Sequence, residues 1–197
     1  MSEKLPALYL ARHGETAWSL SGQHTGRTDL PLTDKGRENG SRLGERLKGL
    51  QFAMVLSSPL QRARVTCEIA GFGAQAQLDP NLYEWDYGQY EGRRTVDIIK
   101  ERPDWQLFRD GCPGGETLAQ VAARADQVVA RVRKTAGDVL IFSSAHILRV
   151  LTARWLGMDP AAAASFMLST ASVSILTYEH DLTDPAVKLW NDNSHVR

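Results

Sequence analysis

Residues 7–16 read ALYLARHGET, a short apolar run followed directly by Arg12, His13 and Gly14. Apolar runs of this length are typical of a strand buried on both faces of a parallel sheet. The carboxyl ends of such strands are where open α/β folds bind their ligands. The sequence therefore predicts a ligand site that begins at Arg12 and His13, at the mouth of a sheet.

An arginine beside a histidine suits phosphoryl transfer. The planar guanidinium of Arg12 matches the oxygens of a phosphate group, and a neutral ring nitrogen of His13 can attack phosphorus. Taken alone, the segment RHGET at 12–16 fits an exposed arginine–histidine pair equally well.

Arg62 adds a second cation that could face the same anion. It follows a predicted strand at 53–56 and the segment SPLQ at 58–61, which offers an N-cap, a first-turn proline and a capping-box glutamine. An arginine in the first turn can bind an anion together with the amino end of its helix. An isolated arginine at this place is more often a solvated surface residue.

Strand and helix patterns alternate along the rest of the chain. Further strands are predicted at 138–143, 173–178 and 187–190, and helices at 33–47, 58–71, 117–132 and 147–156. This alternation predicts an α/β fold, a three-layer α/β/α sandwich with a mixed, mainly parallel sheet. We expect a single domain over 1–197, with a substrate-covering insertion at about 84–115.

Composition narrows the class of partner and the compartment. The 197 residues contain 23 Lys plus Arg and 23 Asp plus Glu, so no net field favours nucleic acid or an anionic membrane. We read Cys67 and Cys112 as free thiols of a reducing compartment. Residues 1–5 lack the apolar stretch of a secretory signal, and no run is long enough to span a bilayer. We therefore expect a cytoplasmic protein.

The ordered set of motifs resembles the histidine phosphatase superfamily, also called phosphoglycerate mutase-like. The segments that carry the resemblance are RHGET at 12–16, WS at 18–19, TG at 25–26, LT at 32–33, SPLQRA at 58–63, LYEWDYGQYEG at 82–92 and GGET at 114–117. Segments 84–88 and 108–112 are most similar to a branch that contains bacterial acid phosphatases and the fungal sedoheptulose bisphosphatase.

The resemblance implies a role for four residues. His13 matches the nucleophile that becomes phosphohistidine, and Arg12 and Arg62 match the clamps on the transferring group. Glu84 matches the general acid that protonates the leaving alkoxide. Because this acid must be neutral in the first step, we predict that burial beside Trp85 and a bound phosphate together raise the pKa of Glu84.

Other residues are expected to bind substrate rather than to react. Ser19, Thr25, Gly26 and Tyr87 match positions that line the phosphate and the substrate. Candidates for shaping the pocket or contacting a further anion follow: Trp18, His24, Trp85, Tyr90, Arg93, Arg94, Trp105, Phe108 and Arg109. Trp105 and Phe108 could equally form a small core. No cofactor is expected, and no metal site, because His180 and His195 have no ligand-like neighbours at a convincing spacing.

One motif departs from the family pattern. Relatives carry His-Gly five and four residues ahead of an arginine that matches Arg149, whereas this chain has Ser144 and Ala145 there. A histidine stands two positions later, at His146. Three interpretations remain open: His146 reaches into the phosphate pocket; Ser144 donates a hydroxyl while His146 contacts substrate; or the pocket is impaired and binds a phosphorylated ligand without efficient turnover.

The predicted function is hydrolysis of a small phosphorylated metabolite, a sugar phosphate being one candidate, through phosphohistidine at His13. One alternative is phosphoglycerate mutase-type phosphoryl transfer, in which the same intermediate returns phosphate to a second hydroxyl. The short spacing between Gly92 and Glu116 argues against it, since mutases of this superfamily carry an extra basic insertion there. The other alternative is a catalytically impaired module that binds phosphorylated ligands. A homodimer is an option that the sequence leaves open.

Overall fold

The computed structural model describes residues 5–196, and these residues form six strands, seven α-helices and five short 3-10 helices. The strands are β1 (Leu8–Arg12), β2 (Met54–Ser57), β3 (Ala76–Leu78), β4 (Val139–Ser143), β5 (Val173–Tyr178) and β6 (Pro185–Asp192). The helices are α1 (Ala17–Ser21), α2 (Asp34–Leu47), α3 (Gln61–Ile69), α4 (Thr95–Glu101), α5 (Leu107–Asp110), α6 (Leu118–Arg133) and α7 (Ala145–Trp155).

All six strands form one sheet in the order β3-β2-β4-β1-β5-β6. The first four are mutually parallel, and β5 and β6 are antiparallel to their neighbours. The last pair of the β1–β4 register joins Arg12 to Ser143. The residues that follow these two central strands therefore meet at the same edge of the sheet.

Alternate residues of the central strands face two separate cores. Ile141 belongs to a core that also contains the apolar faces of α6 and α7. Its neighbour Phe142 belongs to the opposite core, with Leu43 of α2 and Cys67 of α3. Helices thus cover both faces of the sheet, and the predicted three-layer α/β/α sandwich with a mixed, mainly parallel sheet is confirmed.

The amino end of α3 differs from the prediction. The helix begins at Gln61, its N-cap is Leu60, and no side chain of the segment caps it. Ser58, the predicted N-cap, only accepts the Leu60 N–H at 3.4 Å. The N–H of Gln61 instead donates to the carboxylate of Asp29 at 2.8 Å. The cap therefore comes from a loop about thirty residues earlier in the chain.

Two further segments matter for the site: the stretch at about 84–115 and the turn between β5 and β6. The stretch predicted as a covering insertion contains α4 and α5, and it adds Ile98, Trp105 and Leu107 to the core. The turn 179–184 joins β5 to β6 and is exposed throughout. Within residues 5–196, no helix combines the length and apolar character needed to cross a membrane.

Candidate active site

A cavity of about 230 Å³ opens where β1 and β4 end. Its lining consists of Arg12, His13, Trp18, Ser19, Gly22, Gln23, His24, Thr25, Glu84, Tyr87, Thr95, Ala145 and His146. Eight of the eleven predicted site residues are in this set. The other three, Arg62, Gly26 and Ser144, are bonded to one another directly beside it. The cavity is smaller than sites for drug-sized ligands, which measure roughly 300–1,000 Å³.

The ring of His13 has a defined tautomer. Its Nδ1 lies 2.7 Å from the carbonyl oxygen of Gly14, and because a carbonyl can only accept, Nδ1 carries the hydrogen. Burial lowers the pKa of His13 well below its normal value, and the charges of Arg62 and Arg12 lower it further. The imidazole is therefore neutral near pH 7, with an unshared electron pair on Nε2.

Arg62 is fully buried and is held by backbone carbonyls. Nη2 donates to the carbonyls of Thr25 at 3.0 Å and Gly26 at 2.9 Å, and Nη1 donates to that of Thr28 at 3.0 Å. Nε donates to the hydroxyl of Ser144 at 3.3 Å. Burial lowers the pKa of this guanidinium, and the charge of Glu84 opposes that change. Four donors thus fix the group in a single orientation.

The loop that holds Arg62 is itself held by Glu91. The carboxylate accepts the N–H of Gly26 at 2.8 and 3.0 Å and that of Thr28 at 3.0 Å. A side chain at Gly26 would place its Cβ 2.4 Å from the carbonyl oxygen of Trp85, so only glycine fits. Glu91 therefore fixes the position of Arg62 indirectly, through the backbone of this loop.

Arg12 lines the cavity, and one of its donors is unpaired among residues 5–196. One of its terminal nitrogens donates to the carbonyl of Leu168. Its Nε is buried and finds no hydrogen-bond partner in the described part of the chain. Burial lowers the pKa of Arg12 to about 10, which still leaves the guanidinium charged at pH 7. A buried donor of this kind is costly unless a ligand satisfies it.

The protein groups around Glu84 lower its pKa, whereas burial was expected to raise it. Burial raises the pKa, but hydrogen bonds with His146 and Trp85 outweigh burial and lower it well below the normal value. The carboxylate accepts three backbone N–H groups, those of Trp85, His146 and Ile147, each at 2.9 Å. Two of these belong to the first turn of α7, whose positive end also favours a carboxylate. The part of the prediction that relied on burial is therefore wrong, because the side chain caps a helix; the effect of a phosphate on this pKa stays a prediction.

The substituted motif places its residues on different sides of the site. Ser144 is 1 % exposed, and its hydroxyl accepts from Arg62. Ala145 and His146 line the cavity. Nδ1 of His146 lies 2.6 Å from the hydroxyl of Tyr87 and 3.7 Å from Oε2 of Glu84. This arrangement favours the interpretation in which His146 reaches into the pocket.

His24, which the sequence predicts as one of several residues that shape the pocket, lines the cavity. Its ring lies 4.8 Å from that of Tyr87, and its Nε2 lies 3.2 Å from the hydroxyl of Thr95. Burial lowers the pKa of His24 to about 4, and the neighbouring His146 contributes in the same direction. The signal available in the sequence was its position directly before the matched pair Thr25-Gly26.

Several aromatic and basic candidates lie outside the cavity. Trp105 is buried in the core, with Phe108 packed against it, so the core interpretation of this pair fits. Tyr90 is in the same core. Arg93 and Arg109 form ion pairs with Glu101 and Asp110 on the surface.

The exposed turn between β5 and β6 holds a cluster that the sequence spacing did not indicate. Glu179, His180 and Asp184 place potential ligand atoms within 4.8 Å of one another. His180 and Asp184 are hydrogen-bonded at 2.8 Å. Exposed acidic groups of this kind are common without a metal, and the expected lack of a metal site stays a prediction.

Comparison with known proteins agrees with this geometry. The family model for the histidine phosphatase superfamily (branch 1) matches residues 8–193. An acid phosphatase of Mycobacterium tuberculosis is 41% identical over 184 residues, which cover 91% of this chain and 90% of that protein. Sedoheptulose 1,7-bisphosphatase of Saccharomyces cerevisiae is 34% identical over 222 residues, covering 96% and 80%. The solved structure of an open reading frame product from Mycobacterium tuberculosis gives a TM-score of 0.89 at 38% identity, covering 95% of this chain and 98% of that one.

Proposed function

This chain belongs to branch 1 of the histidine phosphatase superfamily, and we propose that it hydrolyses small phosphomonoesters through a phosphohistidine formed on His13. The observation that carries this proposal is the state of the His13 ring. Its Nδ1–H is bound to the carbonyl of Gly14 at 2.7 Å, so the reactive electron pair is on Nε2. Two guanidinium groups, those of Arg12 and Arg62, act on the same ring.

In the first step, Nε2 of His13 attacks phosphorus, the P–N bond forms, and the P–O bond to the alcohol breaks. The oxygens of the transferring group carry most of the charge in the transition state. Arg12 lines the cavity and is charged at pH 7, so its guanidinium can neutralise them. Arg62, fixed by three carbonyls, supplies a positive charge that needs no reorganisation during the reaction.

The leaving alkoxide needs a proton, and Glu84 is the acid that we propose. In this structure the carboxylate is ionised, because three backbone N–H groups bind it. A phosphate ester that enters as the monoanion brings one proton with it, and its negative charge raises the pKa of the nearby carboxyl. The proton then passes through Glu84 to the alcohol oxygen.

In the second step, water attacks the phosphorus of the phosphohistidine. Glu84, now ionised again, takes a proton from that water and gives it to the departing phosphate, which restores the carboxylate. The P–N bond breaks, inorganic phosphate leaves, and His13 returns to its neutral form. The hydrogen bond from Nδ1 of His13 to the carbonyl of Gly14 holds the ring hydrogen on Nδ1. Nε2 is therefore the nitrogen that carries the phosphoryl group and the one that is released.

The cavity favours a small substrate. Its volume of about 230 Å³ suits a phosphate on a short polyhydroxylated chain better than a nucleotide. Ser19, Gln23 and Thr95 offer polar groups along its wall. A sugar phosphate is our proposal for the substrate class, in line with the likeness to a yeast sedoheptulose bisphosphatase.

The decisive experiment is acid-labile labelling. The protein is mixed with a ³²P-labelled alkyl phosphomonoester, quenched with denaturant, and tested for phosphate that is stable to base and lost in acid. We expect labelling on His13 and none in His13→Ala, whereas the exposed His180→Ala should label like the parent chain. Absence of label from the parent chain, together with absence of phosphate release, would favour a module that only binds phosphorylated ligands.

An assay of the products separates hydrolysis from mutase chemistry. With 3-phosphoglycerate as substrate, a phosphatase releases inorganic phosphate and a mutase forms 2-phosphoglycerate. We expect release of phosphate to exceed isomerisation.

We also propose a cytoplasmic location. Its support is the pair of buried free thiols, Cys67 and Cys112. Burial raises the pKa of each to about 12, so neither is a reactive thiolate. Free thiols persist in reducing compartments.

A further inference from the structure

His146 has one ring nitrogen engaged inside the protein and one left for a ligand. Nδ1 lies 2.6 Å from the phenolic oxygen of Tyr87 and 3.7 Å from Oε2 of Glu84. The ring itself lines the cavity. Nε2 is therefore the nitrogen that can meet a bound phosphoryl group, and what it offers depends on which nitrogen holds the hydrogen.

The hydrogen bond between Tyr87 and His146 has a direction. Tyr87 is 1 % exposed, and burial together with the charge of Glu84 raises the pKa of its phenol well above the normal value, so the hydroxyl keeps its hydrogen. A buried hydroxyl hydrogen needs an acceptor, and among residues 5–196 the acceptor found for it is Nδ1 of His146. Burial also lowers the pKa of His146, which leaves the ring neutral. The single ring hydrogen is then on Nε2.

We infer that Tyr87 is a positioning residue that holds His146 in its Nε2–H tautomer, so that the ring donates a hydrogen bond to a phosphoryl oxygen. The opposite tautomer would present an electron pair to that oxygen and repel it. The hydroxyl of Ser144, directly after β4, is bonded to Arg62. The donor to the phosphoryl oxygen therefore comes from His146, two residues later. The inference rests on the proposed function, since it assigns a phosphoryl group as the ligand of Nε2.

The neighbouring rings allow the hydroxyl to be removed with little other change. Tyr87 packs against His24 at 4.8 Å between ring centres, and His146 packs against Phe108 at 5.5 Å. Tyr87→Phe keeps both contacts and removes only the donor. Tyr90→Phe is the matched control, because Tyr90 is also buried and its hydroxyl accepts from Arg102 at 3.2 Å, outside the cavity lining.

The test is a long-range ¹H–¹⁵N spectrum of the full chain labelled with ¹⁵N, which distinguishes protonated from unprotonated ring nitrogens. The His146 signals are assigned by their loss in His146→Asn. We expect an unprotonated Nδ1 and a protonated Nε2 in the parent chain and in Tyr90→Phe. Tyr87→Phe should give averaged signals from both tautomers and lower kcat by roughly 3- to 10-fold, the worth of one neutral hydrogen bond.

Two results would overturn the inference: a hydrogen on Nδ1 of His146 in the parent chain, or an unchanged tautomer in Tyr87→Phe. The first needs no variant, so a misfolded variant cannot hide it. Addition of inorganic phosphate should shift the Nε2 signal of His146. If His13 takes no label from a phosphomonoester while the tautomer is as expected, the proposed function fails and the tautomer assignment stands.

Discussion

Lowering the pH from 7 to 5 should destabilise this protein through histidines that are wholly or partly buried, and replacing His24 should remove a defined part of that loss. Burial lowers the pKa of His24 from 6.5 to about 4. In the unfolded chain the same side chain binds a proton below about pH 6.5. Below that pH the unfolded state therefore holds more protons than the folded state, and stability falls as the pH falls.

The size of the effect follows from the two pKa values. At pH 7, His24 is mostly neutral in both states and contributes little. At pH 5 it is protonated in the unfolded chain and neutral in the folded protein, which lowers the free energy of unfolding by about 2 kcal/mol. Burial lowers the pKa of His13 and His146 as well, so the parent chain should lose more than this. The exposed His180 shifts in the opposite direction because of its bond with Asp184.

The assay is equilibrium unfolding in urea at pH 7 and at pH 5. His24→Gln should lose about 2 kcal/mol less than the parent chain between these two values. His180→Gln, the exposed control, should lose at least as much stability as the parent chain, because the raised pKa of His180 stabilises the folded state as the pH falls. If His24→Gln loses as much stability as the parent chain, His24 is not held neutral in the folded protein, and the account of the cavity as a group of uncharged rings is wrong.

Three more predictions concern activity. Glu91→Gln should lower kcat/KM by about 10-fold, because the loop whose carbonyls hold Arg62 loses hydrogen bonds to the Glu91 carboxylate. The surface control Glu101→Gln should leave kcat/KM unchanged. Glu84→Gln should lower kcat at least about 100-fold. It should also reduce the free energy of unfolding at pH 7 by about 2 kcal/mol. A variant as stable as the parent chain would show that the cap of α7 by Glu84 contributes nothing. The value of kcat/KM for an alkyl phosphate should fall as the pH rises above about 6, where the ester loses its second proton. A value of kcat/KM that still rises at pH 9 would exclude delivery of that proton by the substrate.

The parts of the fold that the sequence predicted are those with local patterns. The buried run of β4 and the apolar face and capping box of α6 are visible within their own segments. The pair Arg12-His13 could be placed at the sheet mouth because it directly follows a strand. By contrast, β3 is three residues long with two of them exposed, so it has no pattern to detect.

The parts that the sequence did not predict depend on contacts between distant segments. The charge state of Glu84 is set by N–H groups of His146 and Ile147, which are more than sixty residues away in the chain. The amino end of α3 is capped by Asp29, for which the local residues give no sign. The Tyr87–His146 pair likewise joins two segments that are 59 residues apart in the chain.

The antiparallel placement of β5 determines where this enzyme can be attached to something else. Ala11 is paired with Val173 and Leu8 with Leu176, so β5 runs away from the cavity mouth and its turn lies at the opposite end of the sheet. A fluorescent protein, an affinity tag or a tether to a solid support inserted at 180–183 would sit on the far side of the molecule from the entering substrate. Immobilised or fused forms built at that turn should keep the turnover of the free chain.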